Sequence, residues 1–302
     1  MRVTRRTFLA GSAGLLVLSA CGTDNDSGAA ALNISAIPDQ DPEKLNRLYD
    51  AVADRFAAAT GLQVRYRPVV DYRAVVRAFE VGDVQVAWMG GLTGVQARSR
   101  VPGANAIAQR DIDADFHSVF IATRNSGLRP FDDASGLRQL AGHTFTFGSE
   151  TSTSGRLMPQ YFMEQGGLAL AQLRGKPGFS GSHDATVEAV ASQSFDAGVL
   201  NEQVWDARKA AVKAGEPNLD DVIVLWRTPG YADYHWLVRP DVDSVAGQGT
   251  TRAITDLLLG LDMSDPQDAE ILELFGAEKF IPTTNSNYDQ IEAVAREQGL
   301  LG

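Results

Sequence analysis

Strand and helix patterns alternate through residues 32–100, and this alternation is the strongest constraint on how the chain can fold. Apolar and polar residues alternate where a strand is predicted, and apolar residues recur at helical spacing between those segments. The predicted strands are residues 32–37, 62–70 and 84–88, and the helices between and after them end at Gly61, end at Gly82 and begin at Gly90. This order predicts a mainly parallel sheet with helices on both faces.

Ligand sites in such sheets lie beyond the carboxyl ends of the strands, next to the helix N-termini. Three segments of the chain are predicted to meet at that edge: residues 38–41, Asp71 with Tyr72, and residues 90–93. Because helix N-termini carry unpaired amide hydrogens and a partial positive charge, this edge is suited to an anion.

A second α/β unit follows in the middle of the chain. It includes the predicted strands 118–124, 144–147, 195–200 and 222–226. The chain is predicted to leave the first unit near 118–124 and to return near 231–238. We therefore expect lobe I at 32–118 and 237–302, lobe II at 119–236, and a two-segment hinge that allows closure around a ligand.

The N-terminal segment predicts export. Residues 1–20 begin with Arg2, Arg5 and Arg6 and continue with a short apolar stretch, as a signal peptide does. The ending Leu18-Ser19-Ala20-Cys21 resembles a bacterial lipobox, in which the cysteine is acylated. Residues 4–9 also resemble a twin-arginine signal, so the export route stays open between the Sec and twin-arginine pathways. Residues 21–31 are then a lipidated cysteine and a flexible tether.

Charge and cysteine content exclude several classes of function. Removal of residues 1–20 takes away three arginines and no acidic residue, so the net charge changes from −11 to −14. Such a chain repels nucleic acid and anionic membrane surfaces. Since Cys21 is the only cysteine, no disulfide is possible within the chain. The four histidines are dispersed, and we expect neither a metal nor a cofactor.

A hydroxyl-rich loop is the sharpest local motif. Residues 149–155, Ser-Glu-Thr-Ser-Thr-Ser-Gly, lie between a predicted strand and a predicted helix. Hydroxyls and first-turn amides together form an anion cradle that needs no lysine or arginine. The alternative is an ordinary helix cap, because caps use the same residue types.

Several motifs resemble the substrate-binding proteins of phosphonate, phosphite and phosphate ABC transporters. They include Ser152-Thr153-Ser154-Gly155, Asp71-Tyr72, Val86-Ala87-Trp88, Ser182-His183, Phe195-Asp196-Ala197-Gly198 and Tyr231-Ala232-Asp233-Tyr234. The resemblance extends from about Leu32 to Ile291. It implies a type II periplasmic-binding-protein fold, an oxyanion between two lobes, and a monomer that delivers this ligand to a permease and an ATPase.

The resemblance also implies which residues bind the ligand. They are Tyr72, Ser152, Thr153, Ser154, His183 and Asp233. Two positions depart from the family's pattern: Met89 stands where many members have a second tyrosine, and Glu202 is shifted from the position that serves an aminoalkyl group. Both departures argue against an aminophosphonate ligand.

Two other functions stay open at this stage. Some segments are closer to a subgroup labelled selenate-binding, and the side chains of Ser152 or Ser154, His183 and Asp233 are the residue types of a hydrolase triad. No Gly-x-Ser-x-Gly motif surrounds these serines, so we expect a binding protein and not an enzyme. A carboxylate such as Asp233 favours a phosphorus oxyanion that keeps a proton over selenate, which does not.

Overall fold

The computed structural model describes residues 31–210 and 219–301. The predicted signal peptide, Cys21 and residues 22–30 of the tether therefore lie outside the described residues. Within the described ranges, no helix is both long and apolar enough to cross a membrane.

Two separate sheets form the centres of the two lobes. The six-stranded sheet of lobe I consists of β1 (Ala31–Ala36), β2 (Gln63–Tyr66), β3 (Val86–Met89), β4 (Asn105–Arg110), β10 (His235–Val238) and β11 (Phe280–Pro282), in the order β11-β4-β10-β3-β1-β2. The five-stranded sheet of lobe II consists of β5 (Ser118–Thr123), β6 (Phe145–Phe147), β7 (Gly178–Phe179), β8 (Ala197–Asn201) and β9 (Val222–Arg227), in the order β7-β6-β8-β5-β9.

Helices cover these sheets. Those of lobe I are α1 (Pro42–Thr60), α2 (Tyr72–Val81), α3 (Gly91–Arg100), α7 (Val242–Val245), α8 (Thr250–Gly260), α9 (Pro266–Phe275) and α10 (Asp289–Glu297), and those of lobe II are α4 (Met158–Gln165), α5 (His183–Ala191) and α6 (Glu202–Ala210). The predicted ends of α1 and α2 are confirmed. Asp71 caps α2 with its carboxylate, and Gly61 and Gly82 end the two helices in the left-handed region.

Both sheets are mixed, which corrects the expectation of mainly parallel sheets. In lobe I, β1 runs parallel to β2 and β3, whereas β10 is antiparallel to both β3 and β4. The reason is the return of the chain from lobe II, because β10 enters the sheet from the opposite direction. In lobe II, β5 is antiparallel to β8 and β9, because it is the strand by which the chain enters this lobe from lobe I.

Two segments connect the lobes, and they lie side by side. Phe116 and Tyr231 form an antiparallel bridge, with N···O distances of 2.9 and 3.0 Å. β10 begins at His235, just before the boundary predicted at 236/237, and all of its residues belong to the six-stranded sheet. The Asp233 amide donates to the Asp113 carbonyl at 3.1 Å, so Asp233 also lies with lobe I.

Aromatic residues form the centre of lobe I. The Trp88 ring packs at 5.6 Å from Trp236 and at 5.0 Å from Phe275, measured between ring centroids. These residues are almost completely buried. The tryptophans therefore belong to the core that holds β3 and β10 in register below the interlobe site.

Candidate functional site

All six predicted ligand residues meet at the interface between the lobes. Lobe I contributes Tyr72 and Asp233, and lobe II contributes the remaining four. None of the six is more than 2% exposed. A small tetrahedral anion can therefore reach these groups only when the lobes separate.

The hydroxyl loop begins a helix, as predicted, but with unusual geometry. A π-helical turn (Thr153–Leu157) precedes α4, and Ser152 is its N-cap. The Gly155 amide donates to Ser152 Oγ at 2.9 Å. The cap hypothesis is thus correct for Ser152, and it is compatible with anion binding. A hydroxyl that accepts from an amide still has its own hydrogen to donate.

Thr153 connects this loop to lobe I. The Leu92 amide, in the first turn of α3, donates to Thr153 Oγ1 at 3.0 Å. A Cβ on Gly90 would lie 3.1 Å from Thr153 Oγ1 and 3.2 Å from Asp233 Oδ1, so this glycine permits the close approach. The predicted helix N-terminus at residues 90–93 therefore lies at the site.

The Asp233 carboxylate has one satisfied oxygen. Its Oδ1 accepts from the Gly91 amide at 2.9 Å, while Oδ2 is buried without a hydrogen-bond partner among the described residues. Burial raises the pKa of Asp233 to about 7, although the Gly91 amide and the nearby hydroxyls of Thr153 and Ser154 partly offset it. Near neutral pH this group can therefore hold or release a proton.

Two further polar atoms at the interface lack a partner within the described ranges. They are the Tyr72 hydroxyl and Ser154 Oγ, both buried. Burial also raises the pKa of Tyr72 well above its usual value, so the phenol keeps its proton and can donate it. Unpaired polar atoms are costly in a protein interior. With Asp233 Oδ2, these atoms form a set that a small polar ligand would satisfy.

His183 lies against the cradle, and both of its ring nitrogens are engaged. Nδ1 accepts from the Asn201 amide at 3.3 Å, and Nε2 lies 3.2 Å from the Tyr234 hydroxyl. Burial lowers the pKa of His183 to about 3, so the ring is neutral. Sequence reasoning missed Asn201 as a partner. The available signal was its position at the end of β8, because ligand sites in such sheets lie beyond the ends of the strands.

A buried ion pair lies beside the site. Arg110 contacts Asp113 through two bonds of 2.7 Å, and its guanidinium lies 4.9 Å from the centre of the Tyr234 ring. Sequence reasoning did not find this pair. Asp113 neutralises Arg110, so this ion pair adds no net positive charge beside the cradle.

The two departures from the family pattern have clear locations. Met89 is buried in β3, opposite His235 of β10. Glu202 is ion-paired with Arg227 at 2.5 Å, on the surface of lobe II. Neither residue belongs to the cradle, so neither supplies an aminoalkyl subsite there.

The geometry also bears on the hydrolase alternative. The ring nitrogens of His183 contact Asn201 and Tyr234, and in the part of the chain that the structure describes no serine hydroxyl is bonded to them. A nucleophile needs such a contact with its base. The residue types of a triad are present, but they are not arranged as one.

Comparison with known proteins gives a consistent result. Residues 34–288 match the family model described as the periplasmic phosphonate substrate-binding protein of ABC transporters. A probable phosphite-binding protein, PhnD1 of Prochlorococcus marinus (strain MIT 9301), is 40% identical over 272 residues, or 90% of this chain and 91% of that protein. The phosphate-import protein PhnD of Mycolicibacterium smegmatis is 24% identical over 76% of this chain and 74% of its own.

Solved structures agree with these sequence matches. PhnD1 of P. marinus in complex with methylphosphonate superimposes with a TM-score of 0.86, at 40% identity, over 90% of this chain and 99% of that one. A binding-protein component of a phosphonate transporter from Pseudomonas aeruginosa gives a TM-score of 0.75 at 18% identity, over 88% and 85% of the two chains. The fold is thus the type II periplasmic-binding-protein fold, as predicted.

Proposed function

The chain belongs to the periplasmic phosphonate substrate-binding proteins of ABC transporters, and we propose that it binds a small phosphorus oxyanion between its lobes. The ligand is a phosphonate, phosphite or phosphate, which the protein delivers to an ABC permease and its ATPase. The observation that carries this proposal is the set of buried atoms on Tyr72, Ser154 and Asp233 that lack a hydrogen-bond partner among the described residues and lie near one another at the lobe interface.

The burial of the cradle favours the smallest members of the ligand class. Every cradle residue is buried, and Glu202 is paired with Arg227 outside the cradle. An aminoalkyl chain would have no carboxylate partner at that position. We therefore infer that phosphite and methylphosphonate bind more tightly than aminoethylphosphonate.

Asp233 supports phosphorus as the central atom. An ionised carboxylate repels a dianion, whereas it accepts a hydrogen bond from an oxyanion that keeps one proton. Phosphate-like groups have a second pKa near six and retain a proton close to neutrality. Selenate does not, and the known relatives lend no support to the selenate alternative.

The N-terminus supports a lipoprotein. Cys21 follows a signal of suitable length and residue types, and a short polar tether separates it from β1. We propose that acylated Cys21 anchors the protein on the outer side of the cell membrane, as a monomer. Mass spectrometry of the exported protein is expected to show an acylated N-terminal cysteine, and a mature chain that begins at another residue would contradict this.

A thermal-shift panel tests the ligand class. Methylphosphonate, phosphite and phosphate are expected to raise the melting temperature more than aminoethylphosphonate, sulfate, selenate or selenite. A ligand at a hundred times its Kd stabilises the folded protein by about 2.7 kcal/mol. A shift with selenate alone, or with none of the phosphorus anions, would overturn the proposal.

Removal of single cradle hydroxyls is expected to weaken binding. Ser152→Ala and Thr153→Ala each remove a donor to a charged ligand, which costs about 1–3 kcal/mol of binding free energy. Calorimetric titration with methylphosphonate measures the loss. Ser99→Ala is the control, because Ser99 is exposed on α3 and its hydroxyl donates to the Gln96 carbonyl. Unchanged affinity in both cradle variants would place the ligand elsewhere.

A further inference from the structure

We infer that Tyr234 is a positioning residue that couples closure of the lobes to the orientation of His183. This inference rests on the proposed function, because it concerns how the closed site is held around its ligand. It assigns no ligand contact to Tyr234 itself. It depends on the hydrogen bonds of one hydroxyl and on the lobes from which its partners come.

The Tyr234 hydroxyl joins two residues of lobe II. His183 Nε2 lies 3.2 Å from it, and Asn201 Nδ2 donates to it at 3.0 Å. The side-chain amide of Asn201 is fixed in this orientation, because its Oδ1 accepts from the backbone amide of Val204, in the first turn of α6, at 2.7 Å. Asn201 can therefore present only its NH₂ group to Tyr234.

These contacts determine the tautomer of His183. Nδ1 accepts from the backbone amide of Asn201. In the neutral ring the hydrogen is therefore on Nε2, which donates it to the Tyr234 hydroxyl oxygen. The tyrosine oxygen then accepts from two donors and its own hydrogen remains available. The buried Asp39 carboxyl faces that hydrogen, and interaction with Tyr234 counteracts the burial that raises the pKa of Asp39 to about 6.

The network extends across the cleft. Tyr234 and Asp39 lie next to β10 and β1 of lobe I, whereas His183 and Asn201 lie on α5 and β8 of lobe II. The His183 amide also donates to the Asp39 carbonyl, at 3.0 Å. Separation of the lobes must break these bonds. The orientation of His183 that Tyr234 imposes thus belongs to the closed arrangement.

The orientation matters because the ring packs against the cradle. A Cβ on Gly155 would lie 3.3 Å from His183 Cε1 and 2.9 Å from Ser152 Oγ. The imidazole therefore forms one wall beside the loop that we propose binds the anion. A rotated or differently protonated ring would change both the shape and the donors of that wall.

The tyrosine ring is held independently of its hydroxyl. It stacks on Trp88 at a centroid distance of 5.8 Å, and Phe116 packs edge-on at 5.3 Å. Tyr234→Phe should therefore keep the ring in place and remove only the hydroxyl. Tyr288→Phe is a matched control, because Tyr288 is equally buried and its hydroxyl bonds to Gln109 and Thr283 within lobe I.

The experiment uses the whole mature protein with methylphosphonate. Tyr234→Phe is expected to raise the dissociation rate, measured by stopped flow, about tenfold, which corresponds to about 1.4 kcal/mol of lost hydrogen bonding in the closed state. Nitrogen-15 NMR of the complex is expected to show an Nε2–H tautomer of His183 in both proteins, because the Asn201 backbone amide still donates to Nδ1, and a shifted Nε2 signal in the variant, where that hydrogen has lost its acceptor. Tyr288→Phe should resemble the wild type in both measurements.

The outcomes separate this inference from the proposed function. A wild type that binds methylphosphonate, together with unchanged dissociation and His183 spectra in Tyr234→Phe, would overturn the role of Tyr234 alone. A wild type that binds no phosphorus oxyanion would overturn the proposed function instead. An Nδ1–H tautomer in the wild-type complex would also contradict the hydrogen-bond directions that link His183, Asn201 and Tyr234.

Discussion

Binding of methylphosphonate is expected to weaken about tenfold for each pH unit above about 8, because the complex holds one proton between Asp233 and the ligand. Burial raises the pKa of Asp233 to about 7. Above that pH the free carboxyl is ionised and the free ligand is mostly a dianion. Binding must then take up one proton from solution, so the affinity falls as the pH rises.

The sign of the effect follows from the number of protons on each side. Between about pH 6 and 7 the free protein and ligand together carry one proton, which is what the complex needs, so affinity is near its maximum. Without ligand, the same carboxyl makes the free energy of unfolding fall as the pH rises from about 4 to about 7. The folded state holds its proton more tightly than the unfolded state does.

The other groups around Asp233 do not account for a pH dependence above pH 7, since even Asp39, whose pKa burial raises to about 6, titrates below it. The pKa values of Tyr72, Tyr231 and Tyr234 are raised well above their usual value by burial, and that of His235 is lowered to about 3. Asp113 adds negative charge that raises the pKa of Asp233, while Arg110 is paired with Asp113. The pH dependence above 7 therefore belongs to Asp233 and its ligand.

Asp233→Asn separates this carboxyl from the ligand's own titration. The asparagine oxygen can still accept from the Gly91 amide, so the turn is retained, but the side chain no longer binds a proton. The loss of affinity above pH 8 is expected to be much smaller in this variant. Calorimetry in two buffers of different ionisation enthalpy measures the proton uptake directly. A wild-type affinity that is constant from pH 7 to 9 would contradict the shared proton.

Local features of the fold can be predicted from the sequence because local chemistry determines them. Asp71 and Gly82 mark the ends of α2, since a capping carboxylate and a left-handed glycine act within one helical turn. Ser152 marks a helix start for the same reason. The resemblance to a family then predicts six ligand residues, and all of them lie at the lobe interface.

Features that depend on distant parts of the chain cannot be predicted in this way. The sequence patterns indicate neither β4 nor β11, because their pairing partners are far away in sequence and their own patterns are short. The antiparallel direction of β10 depends on how the chain returns from lobe II. Asn201 gains its role from Tyr234, on the other lobe, and its place at the end of β8 indicates an edge of the site but not this partner.

Arg110→Met is expected to lower the free energy of unfolding by about 3–5 kcal/mol, because it leaves the Asp113 carboxylate buried without its cation. Asp113 is completely buried, and the pair is joined by two bonds of 2.7 Å. The same guanidinium also donates to the Gln203 side chain at 2.6 Å and to the Phe275 carbonyl at 2.7 Å. Urea denaturation at pH 8 measures the loss.

The matched control is an ion pair on the surface. Arg73 pairs with Glu150 across the mouth of the cleft, and these side chains are 68% and 51% exposed. Arg73→Met should therefore cost only about 0–1 kcal/mol. Equal losses in the two arginine variants would show that burial does not distinguish the pairs, and a loss below about 1 kcal/mol for Arg110→Met would contradict a buried charge on Asp113.

The pH dependence of the Arg110 variant identifies the origin of its loss. Burial raises the pKa of Asp113, and Arg110 counteracts it. Without the arginine the pKa rises further, so the carboxyl takes up a proton more readily in the folded state. The deficit of Arg110→Met relative to the wild type is therefore expected to shrink between pH 8 and pH 5. Asp113→Leu in the Arg110→Met background should recover part of the loss at pH 8, because no charge then remains to be buried.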